Sequence, residues 1–274
     1  MAENMIEFID VSLAFGDNVV LNKVNLKVKT GETVAILGPS GTGKSTLLRI
    51  LIGLQEPDGG NINVFGIENI IGRSEEEWND VRKHMGMVFQ YSALFDFLTV
   101  YENIAFGLRQ HTEKSEEEIH DIVMEMLQVV GLPGLENEYP ATLSGGMKKR
   151  ISFARAIAIN PEILLYDEPT AGLDPIMANV ITDLMISIRK KLGATALLVT
   201  HDMKSAFRAA DRVAMIYDGD IVVNLPTKEF QSSKNPLVYN FIHGRDLKTP
   251  LTKEEKEVNE INDKKGVKTD NENK

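Results

Sequence analysis

The segment Gly38-Pro39-Ser40-Gly41-Thr42-Gly43-Lys44-Ser45 fits the spacing G-x-x-x-x-G-K-[ST]. Glycines at these steps let backbone N–H groups turn inward around phosphate oxygens, and a helix starting at the loop adds the positive end of its dipole. Lys44 would reach the β- and γ-phosphates of a nucleotide and the Ser45 hydroxyl would bind Mg²⁺, with Thr46 opening the helical run Thr46–Leu51 behind them. A second chemical element is Ile163-Leu164-Leu165-Tyr166-Asp167-Glu168, an apolar run ending in two acids. Such an ending puts Asp167 near the metal and Glu168 near an attacking water, as the candidate general base. Alone the acid pair says little, because strand ends are often acidic. Beside the loop it describes the other half of a phosphoryl-transfer site.

These residues need strands to position them. Thr33–Leu37, Met85–Phe89, Ile163–Tyr166 and Thr195–Thr200 are short runs, largely apolar, that read as strands buried on both faces, with helical patterns between them. That rhythm predicts a mostly parallel α/β sheet. Ahead of it, Met5–Phe15 and Val19–Val28 alternate as strands around the turn Gly16-Asp17-Asn18, and Arg212–Tyr217 and Ile221–Leu225 make a later hairpin. From about residue 91 to 159 helix signals dominate. Thr99 with Glu102, and Ser115 with Glu118, form capping boxes, and Ile119, Ile122, Val123, Met126, Leu127 and Val130 form a helical stripe. The expected fold class is α/β: a P-loop NTPase core with a mostly parallel sheet, an N-terminal antiparallel β subdomain and an inserted α-helical subdomain. Residues 1–246 form one ATP-binding domain in this reading, and 247–274 a polar tail that is expected to be disordered, too poor in apolar residues to support a core.

A phosphate loop leaves kinases, GTPases and ATPases open. Leu143-Ser144-Gly145-Gly146-Met147 narrows the choice: it resembles the LSGGQ signature of ABC ATPases, with Met147 in place of glutamine. Gln90 stands where that family has its Q-loop, Ala171-Gly172-Leu173-Asp174 resembles the D-loop, His201 matches the switch histidine, and Phe15 lies where an adenine-stacking aromatic is placed. The resemblance implies ATP and Mg²⁺ as ligands, with Gln90 joining Ser45 and Asp167 at the metal, and Lys44, Gln90, Glu168 and His201 in catalysis. It also implies a homodimer in which Ser144, Gly145, Gly146 and Asp174 of one protomer contact ATP bound at the other. Taken singly, Gln90 could be an ordinary strand-end amide, His201 a cap beside Asp202, Phe15 a core residue and Asp174 a helix cap before Pro175. Lys148, Lys149 and Arg150 fall in the first turn of the signature helix, where positive charge opposes the helix dipole, and Lys148 and Lys149 are expected to lie in solvent.

The bulk numbers agree. The 274 residues carry a formal net charge of −10, which speaks against a general nucleic-acid binder. Cysteine is absent, so disulfides and thiolate metal sites are excluded. No apolar run approaches the ~20 residues of a membrane span, and the N-terminus lacks a signal-peptide pattern. The segments Ser92–Asn103 and Leu143–Arg150 are further similar to the Mla and Mce lipid-trafficking ATPases. That likeness implies an integral-membrane permease partner, with a small regulatory subunit and a lipid-binding substrate protein as further candidates. It implies a peripheral place on the cytoplasmic face of the inner membrane and phospholipid or a related lipid as cargo. An importer for a small polar solute is the alternative.

Overall fold

The computed structural model describes residues 3–250. β1 (Asn4–Phe15) and β2 (Asn18–Lys29) pair antiparallel, and β1 also pairs with a strand introduced below. β3 (Thr33–Leu37) is buried along its whole length and feeds the phosphate loop, after which α1 (Lys44–Leu51) begins. β4 (Gly59–Val64) closes the small sheet in the order β2-β1-β4. The sequence reading omitted this strand, and it omitted α2 (Glu75–Arg82), which a complete capping box between Ser74 and Glu77 starts.

β5 (Met85–Val88) leads into the helical stretch: α3 (Val100–His111), α4 (Glu116–Val129) and α5 (Gly145–Ile157). The capping boxes at Thr99/Glu102 and Ser115/Glu118 form as expected, and caps of this kind are worth about 1 kcal/mol each. Next come β6 (Ile163–Asp167), α6 (Pro175–Leu192), β7 (Thr195–Val199), α7 (Met203–Ala209), β8 (Arg212–Tyr217), β9 (Asp220–Pro226), α8 (Thr227–Gln231) and α9 (Pro236–Ile242).

The main sheet runs β5-β6-β7-β3-β8-β9, parallel throughout except for the β8–β9 hairpin. Along β3 the side chains alternate between two cores. Val34 and Ile36 pack with α1 and the small antiparallel sheet, while Ala35 and Leu37 pack with α3, α5 and α6. Burying both faces explains why these strands are uninterrupted apolar runs. The strand order also explains the site. β3, β7, β6 and β5 are neighbours, so the residues that follow their C-terminal ends, Gly38, His201, Glu168 and Gln90, emerge along one edge.

The start of the predicted tail departs from expectation. Leu247 packs on the larger core, and the buried Asn240 amide donates to the carbonyls of Leu247 (3.4 Å) and Thr249 (2.7 Å). Those backbone acceptors fix the chain as far as Thr249. Residues 251–274, the rest of the expected tail, lie outside the described residues.

Candidate active site

The phosphate loop is shaped by two close approaches that only glycine allows. A Cβ on Gly38 would lie 2.4 Å from the Ile216 carbonyl oxygen, and one on Gly43 2.9 Å from the Val20 carbonyl oxygen. Gly43 is left-handed (φ 88) and caps α1, whose first-turn N–H groups face the loop. Lys44 is buried, and its ammonium donates to the carbonyls of Gly38 (2.8 Å) and Pro39 (2.7 Å) within the loop. Thr42 Oγ1 also donates to the Pro39 carbonyl, at 2.9 Å. Burial pulls the Lys44 pKa down, and the carboxylates of Glu168 and Asp167 oppose that shift.

Ser45 Oγ donates to Asp167 Oδ1 at 2.6 Å, joining the loop to the end of β6. Burial raises the Asp167 pKa and the Glu168 carboxylate adds to the rise, while the Ser45 hydrogen bond works against it. Glu168 adopts a left-handed backbone (φ 47), rare for a residue with a side chain and a local strain held by its surroundings. Its N–H donates to the Val199 carbonyl (2.8 Å). Its Oε2 accepts from Thr200 Oγ1 (3.1 Å) and from the His201 backbone N–H (3.3 Å), and lies 2.9 Å from His201 Nδ1. Thr200 was not among the sequence candidates, though its place one residue before His201 on the same strand end was the available signal.

Gly43, Lys44, Ser45, Glu168 and His201 line one open cleft of about 430 Å³, whose walls also include Phe15, Val20, Ser40, Gly41, Thr46 and Gln90. Phe15, 55% exposed, stands at its wall as an open ring face rather than a core residue. A larger surface cleft, about 660 Å³, lies between the small sheet and α2, but no phosphate loop or acid pair opens into it. The residues fit a nucleotide with a hard cation: a glycine-lined cradle, a buried ammonium and a serine–carboxylate pair. No cluster of three or more acidic or histidine side chains suited to a metal exists among the described residues. Mg²⁺ usually keeps several waters and is held through one or two carboxylates with substrate phosphates, and Ser45 and Asp167 are of the type to supply the protein side of such a shell.

The signature is not brought to this cleft within one chain. Ser144 and Gly145 are exposed at the start of α5, where Ser144 Oγ accepts from the Met147 N–H (3.3 Å) as an N-cap. Gly146 is buried beneath Met177, whose methyl would lie 2.7 Å from an added Cβ. Asp174 caps α6, its Oδ1 accepting from the N–H groups of Ile176 (2.9 Å) and Met177 (3.0 Å).

One expectation is overturned. Lys149 is buried rather than solvated: its ammonium reaches the Gln90 carbonyl and lies 3.5 Å from those of Phe89 and Glu168. Carbonyl groups turned inward at the ends of β5 and β6 give the cation ligands that water would otherwise supply. Lys148 remains half-buried.

The sequence model of the family described as ABC transporter matches residues 21–171, more than half of the chain. The chain is 44% identical to the chloroplastic protein Trigalactosyldiacylglycerol 3 of Arabidopsis thaliana, covering 88% of this chain and 74% of the relative. It is 41% identical to a probable ribonucleotide transport ATP-binding protein, mkl, of Mycobacterium leprae (92% and 72%). It is 39% identical to the intermembrane phospholipid transport system ATP-binding protein MlaF of Escherichia coli K12 (88% and 89%). Among solved structures, a dimeric post-hydrolysis state of the ATP-binding cassette MJ0796 bound to ADP and Pi superposes with a TM-score of 0.75 at 33% identity, over 81% of this chain and 99% of that one. The phosphate loop, the acid pair and the histidine thus sit on a cassette of known type, and the chain belongs to the ABC transporter family as an ATP-hydrolysing subunit.

Proposed function

We propose that two copies of this chain pair so that the signature of each completes the ATP cleft of the other, and that the pair drives a membrane permease moving phospholipid or a related lipid. One observation carries the pairing: the hydrolytic groups converge in one cleft, whereas Ser144 and Gly145 are exposed and do not line it. In the paired state Ser144, Gly145 and Gly146 would hold the γ-phosphate from the partner side, with Asp174 beside them. The dimeric MJ0796 cassette supports this arrangement.

Within each cleft Phe15 offers a face for the adenine, the loop N–H groups and Lys44 hold the phosphates, and Glu168 accepts a proton from the attacking water. Water adds to the γ-phosphorus as the bond to the β-phosphate oxygen breaks and its electrons leave on ADP. His201, 2.9 Å from Glu168 Oε2, fixes the carboxylate's direction. Ser45, Asp167 and Gln90 would hold Mg²⁺, which supplies charge neutralisation between the β- and γ-phosphates.

Among the described residues no helix is long and apolar enough to cross a membrane, so force must pass to a partner through a surface contact. We place that contact next to Gln90, on the face that meets the cytoplasmic side of the inner membrane. The buried Asn103 accepts from the Phe95 N–H (2.8 Å) and donates to the carbonyls of Phe95, Leu98 and Thr99. That bracing holds the loop so that Phe97 stays 77% exposed, its ring 5.8 Å from Phe95, which in turn lies 4.9 Å from Phe106. With Tyr91, 86% exposed, these rings offer an apolar seat for a permease helix. Val100 by contrast is core. Phe97→Asp is expected to leave the chain folded and ATP-binding but to abolish its recovery with membranes. Unchanged recovery would remove the seat from this face.

The lipid cargo rests on similarity to MlaF and to Trigalactosyldiacylglycerol 3. The mkl relative bears a ribonucleotide transport name, so a polar solute is the competing cargo. The deciding measurement is ATP turnover of the purified membrane complex with phospholipid vesicles, ribonucleotides or amino acids. Stimulation by phospholipid alone supports the proposal; stimulation by a polar solute and not by lipid overturns it. A small regulatory subunit and a lipid-binding protein would appear as companions of that complex.

A further inference from the structure

Helix α5 carries the signature at its first residues, and five positions after Ser144 it carries Lys149, about 8 Å further along the axis at 1.5 Å per residue. A lysine buried in the interior needs acceptors, and this one finds them on two separate segments of the hydrolytic cleft. Its ammonium meets the carbonyls of Phe89 and Gln90 after β5, and the carbonyl of Glu168 after β6. Glu168 is left-handed, and its carbonyl, which also accepts from the Ala171 N–H (3.1 Å), lies within reach of the Lys149 ammonium on α5. The same helix holds the next residues of the loop through a second cation. Arg155 donates from Nη1 to the Ala93 carbonyl (2.6 Å) and from Nη2 to the Ser92 carbonyl (3.0 Å). Ser92 and Ala93 are both left-handed, with φ of 63 and 48.

The seat of α5 is rigid. Gly86 on β5 lets the helix in so closely that a Cβ there would lie 2.3 Å from the Ala156 carbonyl oxygen. On the other side the Phe153 ring packs 5.5 Å from the Tyr166 ring of β6. A helix held this way moves as a unit, and what it holds moves with it.

We propose that Lys149 is a positioning residue that ties the backbone of Gln90 and Glu168, which serve the chain's own ATP, to the signature segment Ser144–Gly146, which serves the ATP of the paired copy. This rests on the preceding reading of the two clefts and deepens it. Through Lys149, closure of the signature on one nucleotide presses on the general base that acts on the other. The two sites of the pair are thereby coupled by a side chain that touches neither nucleotide. Distance from the reacting atoms does not make such a tie weak, because a misplacement of about 1 Å in a catalytic group can cost ~10²-fold in rate.

The test uses the full chain purified in its membrane complex, with Lys149→Met, Lys149→Gln and, as a control on the site itself, Glu168→Gln. Turnover is followed against ATP concentration, and ATP affinity is measured separately with a fluorescent ATP analogue. Lys149→Met fills the same space without donors. It is expected to lower kcat by ~10²-fold, to leave ATP affinity unchanged, and to bring the Hill coefficient for ATP down toward one. Lys149→Gln keeps two N–H donors and is expected to recover part of both kcat and cooperativity. A loss of kcat matched by an equal loss of ATP affinity would mean a merely structural lysine and overturns the inference. Parental kcat and Hill coefficient in Lys149→Met beside an inactive Glu168→Gln overturn it alone, leaving the site reading standing. Parental turnover in Glu168→Gln overturns both. Should Lys149→Met fail to fold, Lys149→Gln decides: parental cooperativity with reduced kcat, or parental values of both, overturn it.

Discussion

Glu168→Gln is expected to slow ATP turnover by ~10²–10⁴-fold, the range for a lost general base, while ATP binding persists. The carboxamide has nearly the volume of the carboxylate, and its oxygen can still accept from Thr200 Oγ1 and the His201 N–H, as Glu168 Oε2 does. The loop, Lys44 and Ser45 are untouched, so the phosphates keep their cradle. What is lost is the carboxylate that the cleft presents for taking a proton from water. Single-turnover hydrolysis and equilibrium binding of ATP, measured on the same preparation, separate the two effects. Hydrolysis at the parental rate would strip Glu168 of its role and leave Asp167 as the next carboxylate to examine. Loss of ATP binding in step with turnover would instead show that the substitution had disturbed the loop.

The candidate site was legible in the sequence because its segments each follow a short apolar run. A short run buried on both faces reads as a strand of a parallel sheet covered by helices, and the end of such a strand is where ligands meet the fold. Gly38, Gln90, Glu168 and His201 follow four such runs, and the sheet order sets them side by side. The elements missed lacked that signal. β4 reads Gly-Gly-Asn-Ile-Asn-Val, poor in β-favouring residues at its start, and it exists because β1 has an edge to pair. α2 is only eight residues long, but its Ser74/Glu77 box matches the pattern that located α3 and α4, so its start was there to be read. Lys149 was misplaced for a different reason. A lysine in the first turns of a helix reads as solvated, and only the long-range meeting of β5, β6 and α5 shows that carbonyls replace the water. Asn240 is the same case in small: its carbonyl partners lie seven and nine residues away, within a stretch whose composition is that of a free tail.

Pairing should depend on the signature more than on any other exposed segment, and Ser144→Arg is expected to abolish it. In the Glu168→Gln background with saturating ATP, hydrolysis no longer dissolves the pair, so light scattering should report a dimer. Ser144 is exposed, and its Oγ faces the open N-terminus of α5. An arginine there puts bulk into the gap that the partner's γ-phosphate must enter. It also removes a cap worth about 0.5–2 kcal/mol, so loss of the dimer could reflect a frayed helix instead of a blocked contact. Ser144→Ala separates these: it removes the same cap without the bulk and should still pair, at higher ATP. The neighbouring surface suits a covered face, since Ile176, in the first turn of the helix that Asp174 caps, is 75% exposed. A pair that forms undiminished with Ser144→Arg would mean that the signature does not close the cleft, and the head-to-tail arrangement would fall with it. A monomer in Ser144→Arg beside a dimer in Ser144→Ala places the second wall of each ATP site on the other copy of the chain.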